Sequence, residues 1–252
     1  MRIIVTGGAS GMGAGAVRGF AADGADVISC DLAEQAGRQI ADEVTATGPG
    51  RARFLRCDVA EEESVNRAFA EAVDLLGGLD VLVHAAGIAP GGPAAELDVA
   101  EWDRVLAVNS RGTFLTNRAA YRVMAARGGR IINFASAAGV NGYPGKAHYA
   151  ASKGAVVAWT RTAAVEWAST GITVNALAPA IWTPMYDKTR AAMRPDRLAA
   201  HDAQLAVRMP IGGRLGDIQR DLMPVLRFIA SEGSRFMTGQ VFPVDGGMLM
   251  MR

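Results

Sequence analysis

"RIIVTGGASGMG", residues 2–13, joins a short apolar, β-branched run to a loop with glycines at 7, 11 and 13. The run has the composition of a buried strand. Glycines directly after it permit a tight turn and let backbone amides and a helix N-terminus approach an anion such as a pyrophosphate. The segment 13–22 that follows reads as a helix, so the stretch spells strand, glycine turn, helix. Tight strand-to-helix packing would use the same glycines, but the flanking elements favour dinucleotide binding. The loop is not a P-loop, because no Lys-Ser/Thr pair follows the glycines.

The alternation continues along the chain. Runs at 25–30, 52–57, 79–84, 129–135, 172–177 and 240–244 read as further strands, and 33–46, 61–76, 100–126, 147–169 and 217–231 as helices. Strict βα alternation predicts an α/β fold: one Rossmann-type, doubly wound parallel sheet of about seven strands, with helices on both faces and right-handed crossovers. A chain of 252 residues suits a single domain, 1–252. The one stretch without an assignment, 179–216, is long enough to be a functional excursion with short helices of its own.

Composition narrows the partners. With 26 basic and 25 acidic residues the net charge is +1, which gives no reason to seek nucleic acid or a membrane surface. The opening run is too short for a signal h-region and no stretch reaches membrane-spanning length, so a cytoplasmic location is expected. Cys30 and Cys57 cannot build a disulfide framework and read as small buried residues. His84, His148 and His201 lack metal-ligand spacing, so no metal is expected.

In such a sheet ligands bind beyond the carboxyl ends of the strands. Those positions hold the glycine turn, Asp31, Asp58, "AAGI" at 85–88, Ser136 and "APAIWTP" at 178–184. Asp31 is placed to accept hydrogen bonds from an adenosine ribose, or to cap the helix beginning near Ala33. Asp58 could likewise cap a helix near Glu61. Tyr149 and Lys153 stand four apart in a chain with only three lysines. Four tyrosines, each with about a 3/252 chance of a lysine four residues on, give this spacing by accident on the order of 0.05 times. On a helix the pair shares a face, and the ammonium is expected to favour the phenolate. A free tyrosine, with pKa ~10, is too weak a base for proton transfer near neutrality.

Taken together, Thr6-Gly7-x-x-x-Gly11-x-Gly13, "HAAG" at 84–87, Asn109 in "VNSRGTF", Ser136 in "INFASAAG" and Tyr149-x-x-x-Lys153 resemble the short-chain dehydrogenase/reductase family over essentially the whole chain. The resemblance implies a catalytic set of Asn109, Ser136, Tyr149 and Lys153. Ser136 would bond the substrate oxygen, Lys153 the nicotinamide ribose, and Asn109 would support a water linking the lysine to solvent. It implies a dinucleotide site at Gly7, Ser10, Gly11, Met12, Gly13, Asp31, Leu32, Asp58, Val59, Ala85, Ala86, Gly87, Tyr149, Lys153, Pro179, Ile181 and Thr183, with Asp58 reaching the adenine. It also implies a homotetramer, formed through the helices 100–126 and 147–169 and the apolar tail Met248, Leu249, Met250, Met251, which should be buried. Two departures stand out. His84 replaces an asparagine that braces the central strands, and Pro179-Ala180-Ile181-Trp182-Thr183 is one residue shorter than the family's Pro-Gly-x-x-x-Thr.

The cofactor expected is NAD. Asp31 would repel the 2′-phosphate of NADP, and Ser10 stands where NADP-using relatives often carry an arginine. Arg38 lies inside the second helix and is expected to face solvent. The expected activity is hydride transfer between NAD(H) and a small-molecule secondary alcohol or ketone. An NADPH-dependent 3-oxoacyl reductase and a non-catalytic dinucleotide-binding protein are the alternatives. Within the excursion, Trp182, Met185, Tyr186, Met193 and Met209 suit either core packing or an apolar lid. Arg190, Arg194 and Arg197 suit a solvated helix face, or attraction of an anionic substrate.

Overall fold

Every predicted strand forms in the computed structural model, which describes residues 1–250. They are β1 (Arg2–Thr6), β2 (Asp26–Asp31), β3 (Arg51–Arg56), β4 (Val81–His84), β5 (Gly129–Phe134), β6 (Ile172–Pro179) and β7 (Val241–Val244). They make one sheet in the order β3-β2-β1-β4-β5-β6-β7, each neighbouring pair parallel. The order reverses beside β1, which pairs with both β2 and β4, and a crevice opens there beyond the strand ends.

The two-residue period of β1 divides its side chains between two cores. Ile3 and Val5 pack with Phe20, Ile40 and Leu226, on the face covered by α1 (Gly11–Ala22), α2 (Glu34–Thr47) and the C-terminal helix at 223–230. Ile4 packs with Phe69, Ala120 and Trp167, on the face covered by α3 (Glu62–Leu76) and by long helices from 99–124 and 147–167. The central strands are buried on both faces, which is why β1 and β4 read as apolar runs, whereas β3 at the edge alternates with exposed Arg51, Arg53 and Arg56.

Two predicted helices differ from the sequence reading. The segment 100–126 is α4 (Val99–Leu106), a π-helical turn at Ala107–Arg111, and α5 (Gly112–Met124). The bulge arises where the Asn109 side chain is tied to the backbone of Ile88 in both directions at 2.9 Å, a geometry that a regular helix would not present. After α6 (Ala137–Asn141) and α7 (Ala147–Trp167), the excursion forms α8 (Pro184–Ala191) and α9 (Pro195–Arg208), neither with a fully buried residue. The last helix begins with a second π turn at Ile218–Leu222 and becomes regular only in α10 (Met223–Ala230), where Pro224 brings no amide to the ladder.

The apolar tail is only partly covered within one chain. Leu249 is buried and Met248 half-buried, Met250 is 73% exposed, and Met251 lies outside the described residues. Cys30 and Cys57 are buried free thiols in one core cluster. No helix among the described residues is long and apolar enough to cross a membrane.

Candidate active site

A cleft of about 670 Å³ lies along the carboxyl ends of the strands. Gly7, Ser10, Gly11, Met12, Gly13, Asp31, Leu32, Asp58, Val59, Ala85, Ala86, Gly87, Tyr149, Lys153, Pro179 and Thr183 all line it. Ile181 does not. Residues 180–182 prolong β6, bonding Gly216 in strand fashion, and that register turns the Ile181 side chain into the core.

The glycines are required by space. A Cβ on Gly13 would stand 2.1 Å from the Gly7 carbonyl oxygen, and one on Gly7, whose φ is +71°, would stand 2.7 Å from the Ala86 amide nitrogen. The turn therefore presses against both the start of α1 and the end of β4, and leaves bare backbone facing the cleft. The α1 N-terminus has neither a side-chain cap nor an acid in its first turn, so its amides remain free for an anion. These are the features that a dinucleotide pyrophosphate needs.

Asp31 ties two backbone segments together at the end of β2. Its Oδ1 accepts from the Ala33 amide and its Oδ2 from the Ala9 amide, each at 3.0 Å. One carboxylate thus holds the glycine turn and the approach to α2 while remaining on the cleft wall. Asp58 accepts from the Ala60 amide at 3.0 Å, which fixes the turn before α3. Arg38 is occupied by Glu34 at 2.9 Å, facing solvent as expected. Thr183 caps α8, and its Cβ comes within 3.7 Å of where a Gly11 Cβ would stand.

On the opposite wall α7 presents Tyr149 and Lys153 one turn apart. The Lys153 ammonium donates to the Phe134 carbonyl at 2.6 Å and lies 5.9 Å from the Tyr149 ring centroid. Burial pushes Lys153 down to about 8. Burial also pushes the Tyr149 phenol above its ordinary value, with Ser136 pulling the other way. The expected lowering of the phenol by the ammonium is therefore corrected. Loss of water around the anionic phenolate outweighs a cation that is already turned toward a carbonyl.

Ser136 caps α6 through the Ala138 amide at 3.2 Å. Asn109 is wholly buried behind the cleft. Besides clamping Ile88, it donates to Ser152 Oγ at 2.9 Å, and Ser152 in turn donates to the Tyr149 carbonyl at 2.7 Å. This brace from the π turn to the backbone of Tyr149 went unread in the sequence. Ser152 gave no signal beyond its place three residues after Tyr149.

His84 replaces the asparagine brace with contacts of its own. Its Nδ1 lies 2.8 Å from the Thr6 hydroxyl and 3.0 Å from that of Thr116, joining β1, β4 and α5. A second buried network joins Asn117, Asn133, Thr160 and the Trp159 indole, and fastens α5 to β5 and α7.

The excursion residues divide. Met209 is core, whereas Met185 lines the cleft. Trp182 and Tyr186 meet edge to face at 5.0 Å, and the Tyr186 hydroxyl lies 2.7 Å from His201 Nε2 on α9. Arg190 stacks over Trp182 at 5.1 Å and pairs with Asp202. Arg194, at the N-cap of α9, pairs with Asp196 in the first turn of that helix. The three arginines therefore fall on α8, the link and α9, and do not form one helix face.

A sequence-family profile described as enoyl-(acyl carrier protein) reductase matches residues 7–249. The chain is 39% identical to the short-chain reductase protein NovJ of Streptomyces niveus, an alignment covering 97% of this chain and 92% of that one. It is 40% identical to cis-4-hydroxycyclohexanecarboxylate dehydrogenase of Sinomonas cyclohexanicum, covering 97% and 94%. A solved short-chain type dehydrogenase/reductase from Mycobacterium ulcerans superposes with a TM-score of 0.90 at 29% identity, covering 98% of this chain and 88% of that one. The parallel sheet, the glycine turn and these likenesses place the chain in the short-chain dehydrogenase/reductase family, whose dehydrogenases are oxidoreductases that use a nicotinamide dinucleotide.

Proposed function

We propose that the protein transfers hydride between NAD(H) and a secondary alcohol or ketone carried on a ring, with Tyr149 as the proton-transfer residue. The observation that carries this reading is one cleft holding the glycine turn and Asp31 at one end and Tyr149 with Lys153 at the other. Relatives named for hydroxycyclohexanecarboxylates and a chlorinated cyclohexadienediol support the ring alcohol.

Gly7, Gly13 and the open N-terminus of α1 hold the pyrophosphate, and Asp31 the adenosine ribose, where a 2′-phosphate would meet its charge. The bound nicotinamide supplies the hydride acceptor or donor. Ser136 and Tyr149 bond the substrate oxygen. A phenol kept neutral by burial gives its proton to a ketone oxygen as that carbon is reduced, and takes it back from the alcohol in the reverse direction. Lys153, held on Phe134, restores charge balance beside the phenol and meets the ribose. Asn109 and Ser152 fix the turn of α7 that aims both side chains. Met185 of α8 lines the substrate end and helps to exclude water there. Initial rates on a panel of cyclic alcohols and ketones with NAD(H) and NADP(H) test the reading. Turnover of ring alcohols with NAD is expected, and a panel without any turnover would overturn it.

A further inference from the structure

If the glycine turn holds the pyrophosphate and Asp31 the adenosine ribose, connectivity fixes where the base must lie. The sheet runs in the order β3-β2-β1, so a nucleotide laid outward from the end of β1, past Asp31 at the end of β2, arrives beyond β3. The cleft continues there, lined by Leu32, Asp58, Val59, Val108 and Arg111. Leu32 is 51% exposed, whereas Val59 and Val108 pack on the core beneath. Their apolar surfaces suit one face of a flat heteroaromatic ring. Arg111 brings a cation to a place where an uncharged base is due.

Arg111 stands on the π turn, two residues after Asn109. That turn is pressed against the exit of β3, because a Cβ on Gly112 would stand 3.0 Å from Val59 Cγ2 and 3.2 Å from the Val59 carbonyl oxygen. Arg111 Nε donates to the Ala60 carbonyl at 3.0 Å, which holds one edge of the guanidinium against the loop before α3. No further hydrogen bond engages the guanidinium among the described residues. Its approach to Glu61, at 3.9 Å between side chains that are each more than half exposed, contributes little. Arg104, the other arginine on the cleft wall, is already occupied, because it donates two N–H groups to Glu101 at 2.9 Å.

Resting on the dinucleotide reading above, we infer that Arg111 binds the adenine, its guanidinium covering the base from the solvent side. A guanidinium is planar and weakly hydrated, so it stacks on an aromatic face at small cost in lost water, which a lysine ammonium cannot match. The Nε bond to Ala60 removes much of the side chain's freedom before the nucleotide arrives, and the loop it grips carries Asp58 and Val59. The adenine bears no charge and the pyrophosphate belongs to the open N-terminus of α1, so what Arg111 supplies is a stacking plane and not an ion pair. Arg111 is a binding residue here, and the proton transfer remains with Tyr149.

Calorimetry of the full chain tests this with two ligands, NADH and reduced nicotinamide cytosine dinucleotide, in which a single-ring base replaces the purine. Both are titrated into the wild type, Arg111→Ala and Arg111→Lys. The ratio of the two affinities cancels any general loosening of the loop before α3. The wild type should prefer the adenine form by about tenfold or more, as stacking on the larger base provides. Arg111→Ala should lower NADH affinity by about tenfold and bring the ratio toward one. Arg111→Lys should do the same, because a charge and a donor for Ala60 remain while the plane is lost. Equal wild-type affinity for the two dinucleotides, a ratio unchanged in Arg111→Ala, or its full recovery in Arg111→Lys would overturn the assignment. All of these are binding measurements, so they decide the role of Arg111 even if no alcohol or ketone is turned over. A wild type that bound neither dinucleotide would overturn the nucleotide site itself, and Arg111 with it.

Discussion

Replacing Gly13 by alanine puts one methyl group against the turn that organises the nucleotide end. The new Cβ would fall 2.1 Å from the Gly7 carbonyl oxygen and 2.7 Å from its carbon, against 3.4 Å or more for ordinary contact. Both clashing atoms are backbone, and Gly7 is anchored, because its amide donates to the Cys30 carbonyl at 2.8 Å. Relief therefore requires a shift of about 1 Å in the turn, since rotating a side chain cannot provide it. Overpacking of this kind costs about 1–3 kcal/mol in stability. The larger effect falls on binding. Misplacing two amides from a charged pyrophosphate forfeits about 1.5–3 kcal/mol each, which weakens dinucleotide binding by about 10²–10⁴-fold. Titration of the full chain with NADH, followed by nucleotide fluorescence, measures this directly. Gly154→Ala is the control, because on α7 its nearest neighbour would be 3.5 Å away and a helix-interior glycine is replaced. That variant should gain up to about 1 kcal/mol in stability. NADH affinity of Gly13→Ala within threefold of the wild type would refute the reasoning.

Further outcomes follow from other parts of the molecule. Burial, then the charge of Lys153, pushes His84 from 6.5 down to about 3, so the unfolded chain takes up this proton first as pH falls. That contribution to stability is present above pH 6.5 and lost on descent toward pH 3, about 2 kcal/mol of it between pH 7 and 5. Urea titrations at the two pH values should show the loss in the wild type and a flatter response in His84→Asn. Asp31 should give NAD at least about a tenfold advantage over NADP in kcat/KM, or ~1.4 kcal/mol, and Ser10→Arg with Asp31→Ala should erode or reverse it. Equal efficiency with both cofactors would detach Asp31 from the ribose. Val165 on α7 is 79% exposed and Met250 73%, and their cover is expected from a second and further copies in a homotetramer. Light scattering that returned a monomer at micromolar concentration would contradict that expectation.

The sheet was legible because parallel strands buried on both faces must be apolar throughout and must stop at glycine, aspartate or proline. Ile3, Ile4 and Val5 show the first property, and Asp31 and Pro179 the second. The nucleotide end was legible for a related reason. Close backbone approach admits only glycine, and Gly7 and Gly13 are irreplaceable by space alone. What stayed hidden depends on tertiary partners. The π turn at Asn109 exists because an amide side chain finds Ile88, and no periodicity within 100–126 records that meeting. Ile181 was placed with the cofactor by likeness of motif, and what the motif did not reveal is that its side chain turns into the core and away from the cleft lining. The electrostatics of Tyr149 were misread for the same reason. Spacing revealed the neighbouring ammonium but not the burial that opposes it or the Phe134 carbonyl that holds it.

The central claim is that the Tyr149 hydroxyl moves the proton, and Tyr149→Phe removes that hydroxyl while leaving the ring. Single-turnover reduction of a cyclic ketone by prebound NADH, with NADH affinity measured on the same sample, separates chemistry from binding. The account predicts that NADH affinity is retained within a few-fold and that the chemical step slows by about 10²–10⁴-fold. In Lys153→Ala, both should fall. A Phe variant that bound NADH normally and reacted within tenfold of the wild-type rate would contradict the assignment of proton transfer to Tyr149.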